Sequence, residues 1–148
     1  MQSMSEPQAF TEIAENLRFL DDWEDRYRYI IELGQGLPPL ADAEKNSDTK
    51  VSGCASQVWL VSEQEKAGTE PVLRFRGESD AMIVRGLVAI LVALLSGRPA
   101  REIAETDPMR IFDELGLREH LSTQRANGLA SMAARARSEA LAALAGTA

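Results

Sequence analysis

The chain has 148 residues, 45% of them hydrophobic and 26% charged, which is typical of a globular protein with one compact domain. Its formal net charge of −7 argues against binding to nucleic acid or to an anionic membrane surface. A single cysteine and a single histidine exclude an internal disulfide and are too few for a zinc or iron–sulfur site, so we expect no metal centre.

Two amphipathic helices are predicted at the start of the chain. Residues 8–20, QAFTEIAENLRFL, place apolar side chains three and four positions apart, which is typical of a helix with one buried face. The same spacing returns after an acidic break, from Trp23 to Ile31. We expect this second helix to end at Gly34 and Gly36.

A polar connection then leads to two predicted strands. Two prolines end the helical region, and residues 41–49 are polar without periodicity, which indicates an exposed connection. The run 57–64, QVWLVSEQ, is rich in β-branched and aromatic residues, and apolar and basic residues alternate in VLRFRGES at 72–79. We predict that these runs form antiparallel strands joined around Gly68.

Residues 81–95 are the most apolar part of the chain. Ser79 or Asp80 is placed to cap a helix that begins at Ala81, and apolar side chains on nearly all sides predict a central position for that helix. The segment contains Arg85 and falls short of the roughly 20 apolar residues that cross a bilayer. Because the N-terminal MQSMSEPQ lacks the basic and apolar regions of a secretion signal, we expect a cytoplasmic protein without a membrane segment.

Three further helices are predicted after the central one. Pro99 opens a short helix, Asp107 caps the next, and Ser122 caps a long last helix. The alanine-rich end of the last helix is expected to fray. This order of elements predicts an α+β fold in which a small antiparallel sheet packs against several helices.

The only cysteine, Cys54, lies in KVSGCASQVWL at residues 50–60, just before the first predicted strand. A free cysteine is most often a small buried hydrophobic residue. Here Gly53 and other small residues surround it, and a glycine-flanked loop beside a rigid strand is typical of a reactive group. Nucleophilic attack requires the thiolate, and the nearest basic residue in sequence is Lys50, so activation must come from elsewhere in the fold or from a partner.

The segment around Cys54 resembles the cysteine motif of the SufE family of sulfur acceptors. Three more segments resemble that family in the same order: WEDRYRYIIELGQGLPPL at 23–40, FRGESDAMIVRGLVAIL at 75–91 and FDELGLREHLSTQRANGLASM at 112–132. The resemblance implies a single SufE-like domain over residues 1–148, in which we expect residues 1–7 and 138–148 to be less ordered. It also implies a fold similar to that of the IscU type of cluster scaffold.

The resemblance further implies a function. A partner cysteine desulfurase, of the SufS or CsdA kind, holds pyridoxal phosphate, removes sulfur from cysteine and carries it as a persulfide. The SufE-like protein accepts that sulfur on its own cysteine, here Cys54, stimulates the desulfurase and delivers the sulfur for iron–sulfur cluster assembly by a scaffold. This implies a sulfur-carrying accessory protein without a cofactor of its own, a monomer or weak homodimer, rather than a stand-alone enzyme.

Four residues in the resembling segments are candidate supporting or partner-binding residues: Gly53, Gln57, Asp80 and Arg125. Asp80 is interpreted either as a helix cap or as a residue that holds the cysteine segment shut. Arg125 is either an exposed charge in a first helical turn or a cation that stabilises the Cys54 thiolate or contacts the desulfurase. We hypothesise that the resting loop places Cys54 in an apolar pocket and releases it when the desulfurase docks.

Two alternatives to a sulfur carrier remain. One is a cysteine-dependent hydrolase with Cys54 as nucleophile and His120 as base, although such a site needs a positioned base and usually a third residue to orient it. The other is a non-catalytic binding module in which the cysteine is incidental. The position of His120 near a helix boundary favours a packing or capping role. Packing is likewise the expected role of the aromatic residues Trp23, Tyr27, Tyr29 and Trp59.

Overall fold

The computed structural model describes residues 7–68 and 70–146. Within these residues the chain forms six α-helices and a three-stranded antiparallel sheet, which confirms the predicted α+β fold. In chain order the elements are α1 (Gln8–Phe19), α2 (Trp23–Gln35), β1 (Val58–Ala67), β2 (Glu70–Ser79), α3 (Met82–Leu95), β3 (Arg98–Pro99), α4 (Ala100–Glu105), α5 (Pro108–Glu114) and α6 (Thr123–Ala145). Short 3₁₀ turns at Asp42–Glu44 and Arg118–His120 lie in the connections.

The sheet has the strand order β1-β2-β3. β1 and β2 pair along their full lengths, starting at Val58 opposite Ser79, and the chain reverses at Gly68 as predicted. β3 pairs with the beginning of β2, where Leu73 lies opposite Arg98. The sequence did not predict β3, because a two-residue strand that contains a proline has no measurable periodicity.

α3 lies at the centre of the core, as its composition predicted, and ten of its residues are buried. α2 packs against it so closely that a Cβ added to Gly86 would lie 2.1 Å from the Ile30 carbonyl oxygen. Gly34 faces this contact from within α2, which continues to Gln35 with Gly36 as its C-cap. The predicted helix end is therefore confirmed at Gly36 and wrong at Gly34, since Gly34 serves the close approach of two helices.

α6 begins where the sequence predicted, with the Ser122 hydroxyl accepting a hydrogen bond from the Arg125 backbone N–H at 3.1 Å. Its inward face contains the predicted residues Leu129, Met132, Ala133, Ala136 and Ala140, all of them buried. Less order was expected at both ends of the chain; here α6 continues to Ala145 with Ala143 buried, while residues 1–6 and 147–148 lie outside the described residues. Across the described ranges, no helix combines the length and apolar character that a bilayer-spanning segment requires.

Candidate functional site

Residues 52–57, which we call the cysteine loop, protrude from a paired base. The Val51 backbone N–H donates to the Val58 carbonyl oxygen at 2.8 Å, and the Leu60 N–H donates to the Thr49 carbonyl oxygen at the same distance. Val51 and Val58 are both buried. The loop therefore starts and ends on a fixed part of the hydrophobic core, and its two ends lie side by side.

Gly53 occupies a backbone conformation that other residues rarely adopt, with φ of +89°. A Cβ at this position would also lie 2.5 Å from the Ser131 hydroxyl oxygen on α6. Gly53 is therefore required both for the turn of the loop and for its close contact with the helix. The structure thus explains why a glycine is needed at position 53, which the sequence predicted to be a supporting residue.

Cys54 is partly buried against the backbone of α6. Its Sγ lies 3.6 Å from the Gly128 carbonyl oxygen, to which the S–H donates. A Cβ added at Gly128 would lie 3.5 Å from the sulfur, which is an ordinary van der Waals distance, so the helix surface at this position is in direct contact with Cys54. Burial raises the pKa of the Cys54 thiol above its ordinary value of 9.0, because desolvation disfavours the thiolate. In this position the thiol is neutral at pH 7.

A cavity of about 220 Å³ opens beside the sulfur. That volume is well above the roughly 10–15 Å³ that a cavity needs to hold one water molecule, so the cavity has room for additional atoms on Sγ. Its apolar wall is formed by Val84, Leu129 and Met132. Its polar side is formed by Ser56, Ser122, Gln124 and Arg125. The site thus joins a neutral thiol to a partly open cavity with both apolar and charged walls.

Asp80 holds the C-terminal end of the cysteine loop. Its Oδ1 accepts a hydrogen bond from the Gln57 backbone N–H at 3.1 Å, and its own N–H donates to the Gln57 carbonyl oxygen at 3.3 Å. The N-cap of α3 is instead Ala81, without a side-chain cap bond, so the predicted capping by Ser79 or Asp80 was wrong. The Asp80 carboxylate reaches back to the loop, and Gln57 takes part through its backbone.

Arg125 lies on the same cavity as Cys54, in the first turn of α6. Its guanidinium donates a hydrogen bond to the Tyr27 hydroxyl at 3.4 Å, which fixes it from α2 rather than from the sulfur. Arg125 is therefore a cation on the cavity wall that does not hydrogen bond to the resting thiol.

His120 lies away from this cavity and packs on an aromatic residue. Its ring stacks on Trp23 with the ring centres 4.2 Å apart, and Tyr27 meets Trp23 edge to face. The cavity beside Cys54 is lined without His120. The structure therefore does not bring together the Cys54 and His120 pair that a hydrolase would require.

The sequence did not identify the residues that receive the loop. Gly128 carried a usable signal, because a glycine inside a helical pattern costs helix stability and usually has a packing or functional reason. Ser131 and the apolar wall residues carried none, since nothing in their spacing separates a cavity wall from an ordinary buried face.

Comparisons with known proteins agree with the sequence resemblance. The family described as "SufE: Fe-S metabolism associated domain" matches residues 11–140. An uncharacterized SufE-like protein of Rhizobium meliloti (strain 1021) is 56% identical over 129 residues, which cover 87% of this chain and 92% of that protein. An uncharacterized SufE-like protein of Rhizobium etli is also 56% identical over 129 residues, with 87% of each chain covered.

A solved structure has the same fold. The solution structure of a hypothetical protein from Thermus thermophilus gives a TM-score of 0.70 over 94% of this chain and 98% of that chain, at 21% sequence identity. Since the family match spans most of the chain and both curated relatives share more than half of the aligned residues, this chain belongs to the SufE family and has a sulfur-transfer role associated with iron–sulfur metabolism.

Proposed function

We propose that Cys54 accepts persulfide sulfur from a cysteine desulfurase of the SufS or CsdA kind and delivers it for iron–sulfur cluster assembly on a scaffold. In this proposal the chain is a cytoplasmic accessory protein that stimulates the desulfurase, and pyridoxal phosphate belongs to that partner. One observation carries the proposal. The only thiol of the chain lies on a loop with small residues, beside a cavity with room for an added sulfur atom.

The transfer step is a thiol exchange. The Cys54 thiolate attacks the outer sulfur of the desulfurase persulfide, a new bond forms between Sγ and that sulfur, and the bond to the desulfurase cysteine breaks. The desulfurase cysteine leaves as a thiolate, so no external oxidant or reductant is consumed. Cys54 then carries the persulfide, and the same exchange with an acceptor thiol returns it to its starting state.

The resting site suits protection of the sulfur better than attack. Burial keeps the Cys54 thiol neutral, and the Gly128 carbonyl accepts its S–H, so both features oppose formation of the attacking thiolate. In the proposed cycle the cysteine loop swings away from α6 when the desulfurase docks, which exposes the sulfur and lowers the cost of ionisation. After transfer the loop returns, and the cavity shields the persulfide from free thiols.

Two charged residues have proposed roles in this cycle. Asp80 keeps the loop in its resting position through Gln57, and docking of the desulfurase near the start of α3 releases it. Met82 follows Asp80 closely and is 65% exposed, which offers that docking surface an apolar contact. Arg125 lines the cavity and supplies positive charge close to a persulfide, which is anionic more readily than a thiol.

The proposal is tested by incubating the protein with a cysteine desulfurase and L-cysteine, without added thiols, and measuring its intact mass. Wild type should gain the mass of one sulfur atom, and Cys54→Ser should gain none. The desulfurase should also turn over faster with wild type than with Cys54→Ser. A wild-type chain that gains no sulfur while the desulfurase is active would overturn the proposal and favour a non-catalytic binding module.

A further inference from the structure

One face of α6 forms a contact surface for residues 48–54, the segment that leads into the cysteine loop. Gly128, Ser131 and Arg135 are separated by three and four residues, so they lie in one row along the helix. Gly128 contacts Cys54, Ser131 contacts Gly53, and Arg135 contacts the chain further upstream. The segment from residue 48 to residue 54 therefore runs along α6 in the opposite direction to the helix.

Arg135 lies at the upstream end of this contact surface, and all three of its guanidinium nitrogens donate hydrogen bonds. Nη1 donates to the Lys50 carbonyl oxygen at 3.2 Å, and Nη2 donates to the carbonyl oxygen of Asp48. Nε donates to Glu139 at 2.9 Å, one turn further along α6, and the other oxygen of Glu139 accepts from the Ser62 hydroxyl at 2.8 Å. Arg135 thus connects β1, α6 and the chain upstream of Cys54.

The two ends of the loop are consequently held in different ways. Upstream, a partly buried cation binds two backbone carbonyls and is itself oriented by a carboxylate that β1 fixes in place. Downstream, an exposed Asp80 binds the backbone of Gln57. Both ends use charge-assisted hydrogen bonds, but the pre-oriented arginine makes two of them upstream and the carboxylate makes one downstream, so the upstream end is the firmer of the two.

We propose that Arg135 is a positioning residue for sulfur transfer, which fixes residues 48–50 while the cysteine loop opens. The upstream end then acts as a pivot, and the Gln57 end is the one that comes free. Because residues 48–50 stay in place, only the cysteine loop moves, and Cys54 follows a restricted path. Cys54 therefore reaches the docked desulfurase in one orientation. This inference rests on the proposed function of Cys54 as sulfur acceptor.

The experiment compares Arg135→Gln with a matched control on the same helix. Arg137 donates its Nε to the Ala104 carbonyl oxygen at 3.0 Å, away from the loop, so Arg137→Gln also loses an arginine-to-carbonyl bond. We measure the rate at which a bulky maleimide alkylates Cys54 in the isolated protein, with the thermal unfolding midpoint recorded for each variant. Arg135→Gln should react about tenfold faster than wild type, and Arg137→Gln within about twofold of it.

A sulfur-uptake measurement distinguishes a residue that positions Cys54 for transfer from one that only keeps the loop closed. With desulfurase and cysteine, Arg135→Gln should take up sulfur several times more slowly than wild type, although its thiol is more accessible. Arg135→Lys should recover part of the uptake rate, because an ammonium group reaches one carbonyl at a time. If Arg135→Gln folds poorly, Glu139→Gln provides the same comparison, since it removes the carboxylate that orients Arg135 and leaves Arg135 in place.

Three results would overturn the inference. They are an unchanged alkylation rate in Arg135→Gln, an equal increase in Arg137→Gln, and faster sulfur uptake in Arg135→Gln. A wild-type chain that accepts no sulfur would instead remove the proposed function. The alkylation comparison needs no desulfurase, so it still decides whether Arg135 holds the segment upstream of Cys54.

Discussion

The β1–β2 hairpin and the cysteine loop meet at Val58, yet the structure holds them in different ways. The hairpin is paired along both strands and packs its apolar face on α3. Among the described residues, the loop 52–57 is held to the rest of the chain by the reciprocal Gln57–Asp80 bonds and by the contacts of Gly53 with Ser131 and of Cys54 with Gly128. Segments with few buried contacts open at low free energy, so the loop can move while the hairpin stays folded.

The largest expected effect comes from a substitution in the rigid core beneath the hairpin, at the contact between α2 and α3. Gly86→Ala places a methyl group against the Ile30 carbonyl at the contact between α2 and α3, where neither backbone has room to yield. We expect a loss of about 3 kcal/mol in the free energy of unfolding, measured by urea denaturation. Gly36→Ala is the matched control, because its added Cβ meets only the Leu33 carbonyl oxygen at 3.5 Å and its φ is negative. A stable Gly86→Ala would show that the two helices separate easily.

That contact also shows where prediction from sequence stops. Apolar periodicity located most of the elements, because a buried helical face or strand face repeats its pattern along the chain. Gly34 and Gly36 gave the same local signal of a helix end, and only Gly36 was one. A glycine that admits a neighbouring backbone is distinguished from a helix-ending glycine by what packs against it, and one sequence does not contain that information.

The next effect falls on the loop itself. Gly53→Ala forces a side chain into a left-handed conformation and against Ser131, whereas Gly68→Ala has a similar φ with open space around it. Left-handed backbone costs about 1–2 kcal/mol, so Gly68→Ala should lose that amount and Gly53→Ala more. Gly53→Ala should also speed alkylation of Cys54, because the loop escapes the clash by leaving α6. Equal losses in the two variants would show that Ser131 does not constrain the loop.

A smaller effect is expected from the bond that closes the loop. Asp80→Asn keeps the shape of the side chain but removes the charge that strengthens its bond to the Gln57 N–H. Loss of about 1 kcal/mol in loop closure corresponds to an alkylation rate of Cys54 about fivefold higher, measured with a bulky maleimide. The thermal unfolding midpoint should change little, since Asp80 is exposed. An unchanged alkylation rate would remove Asp80 from the closure of the loop.

The candidate site was predictable to the extent that single residues carry chemistry. Cys54 was found because it is the only thiol and lies among small residues, and Asp80 and Arg125 because they lie in family-like segments. Their geometry was not predictable. From the sequence, the Asp80 carboxylate could accept a hydrogen bond from the first turn of α3 as a helix cap or from the backbone of the loop. Tertiary packing decides between these two, and in the structure it accepts from the Gln57 N–H.

The smallest effect concerns the ionisation of Cys54. Burial raises the pKa of this thiol in the folded chain above 9.0, whereas the unfolded chain ionises near the ordinary value. The associated stability is therefore complete below the unfolded pKa and is lost as the pH rises through the folded pKa. Wild type should lose stability above about pH 9 more steeply than Cys54→Ser, in unfolding experiments at matched ionic strength.

The same ionisation is visible in reactivity. The rate of alkylation by iodoacetamide should rise with pH around a midpoint that is higher in the folded protein than in the same chain in urea, because the resting loop favours the neutral thiol. Asp80→Asn should shift the midpoint back toward the value in urea, since an open loop hydrates the sulfur. A folded-state midpoint below the value in urea would mean that a cation such as Arg125 stabilises the thiolate at rest, and the loop would then hold Cys54 ready for attack.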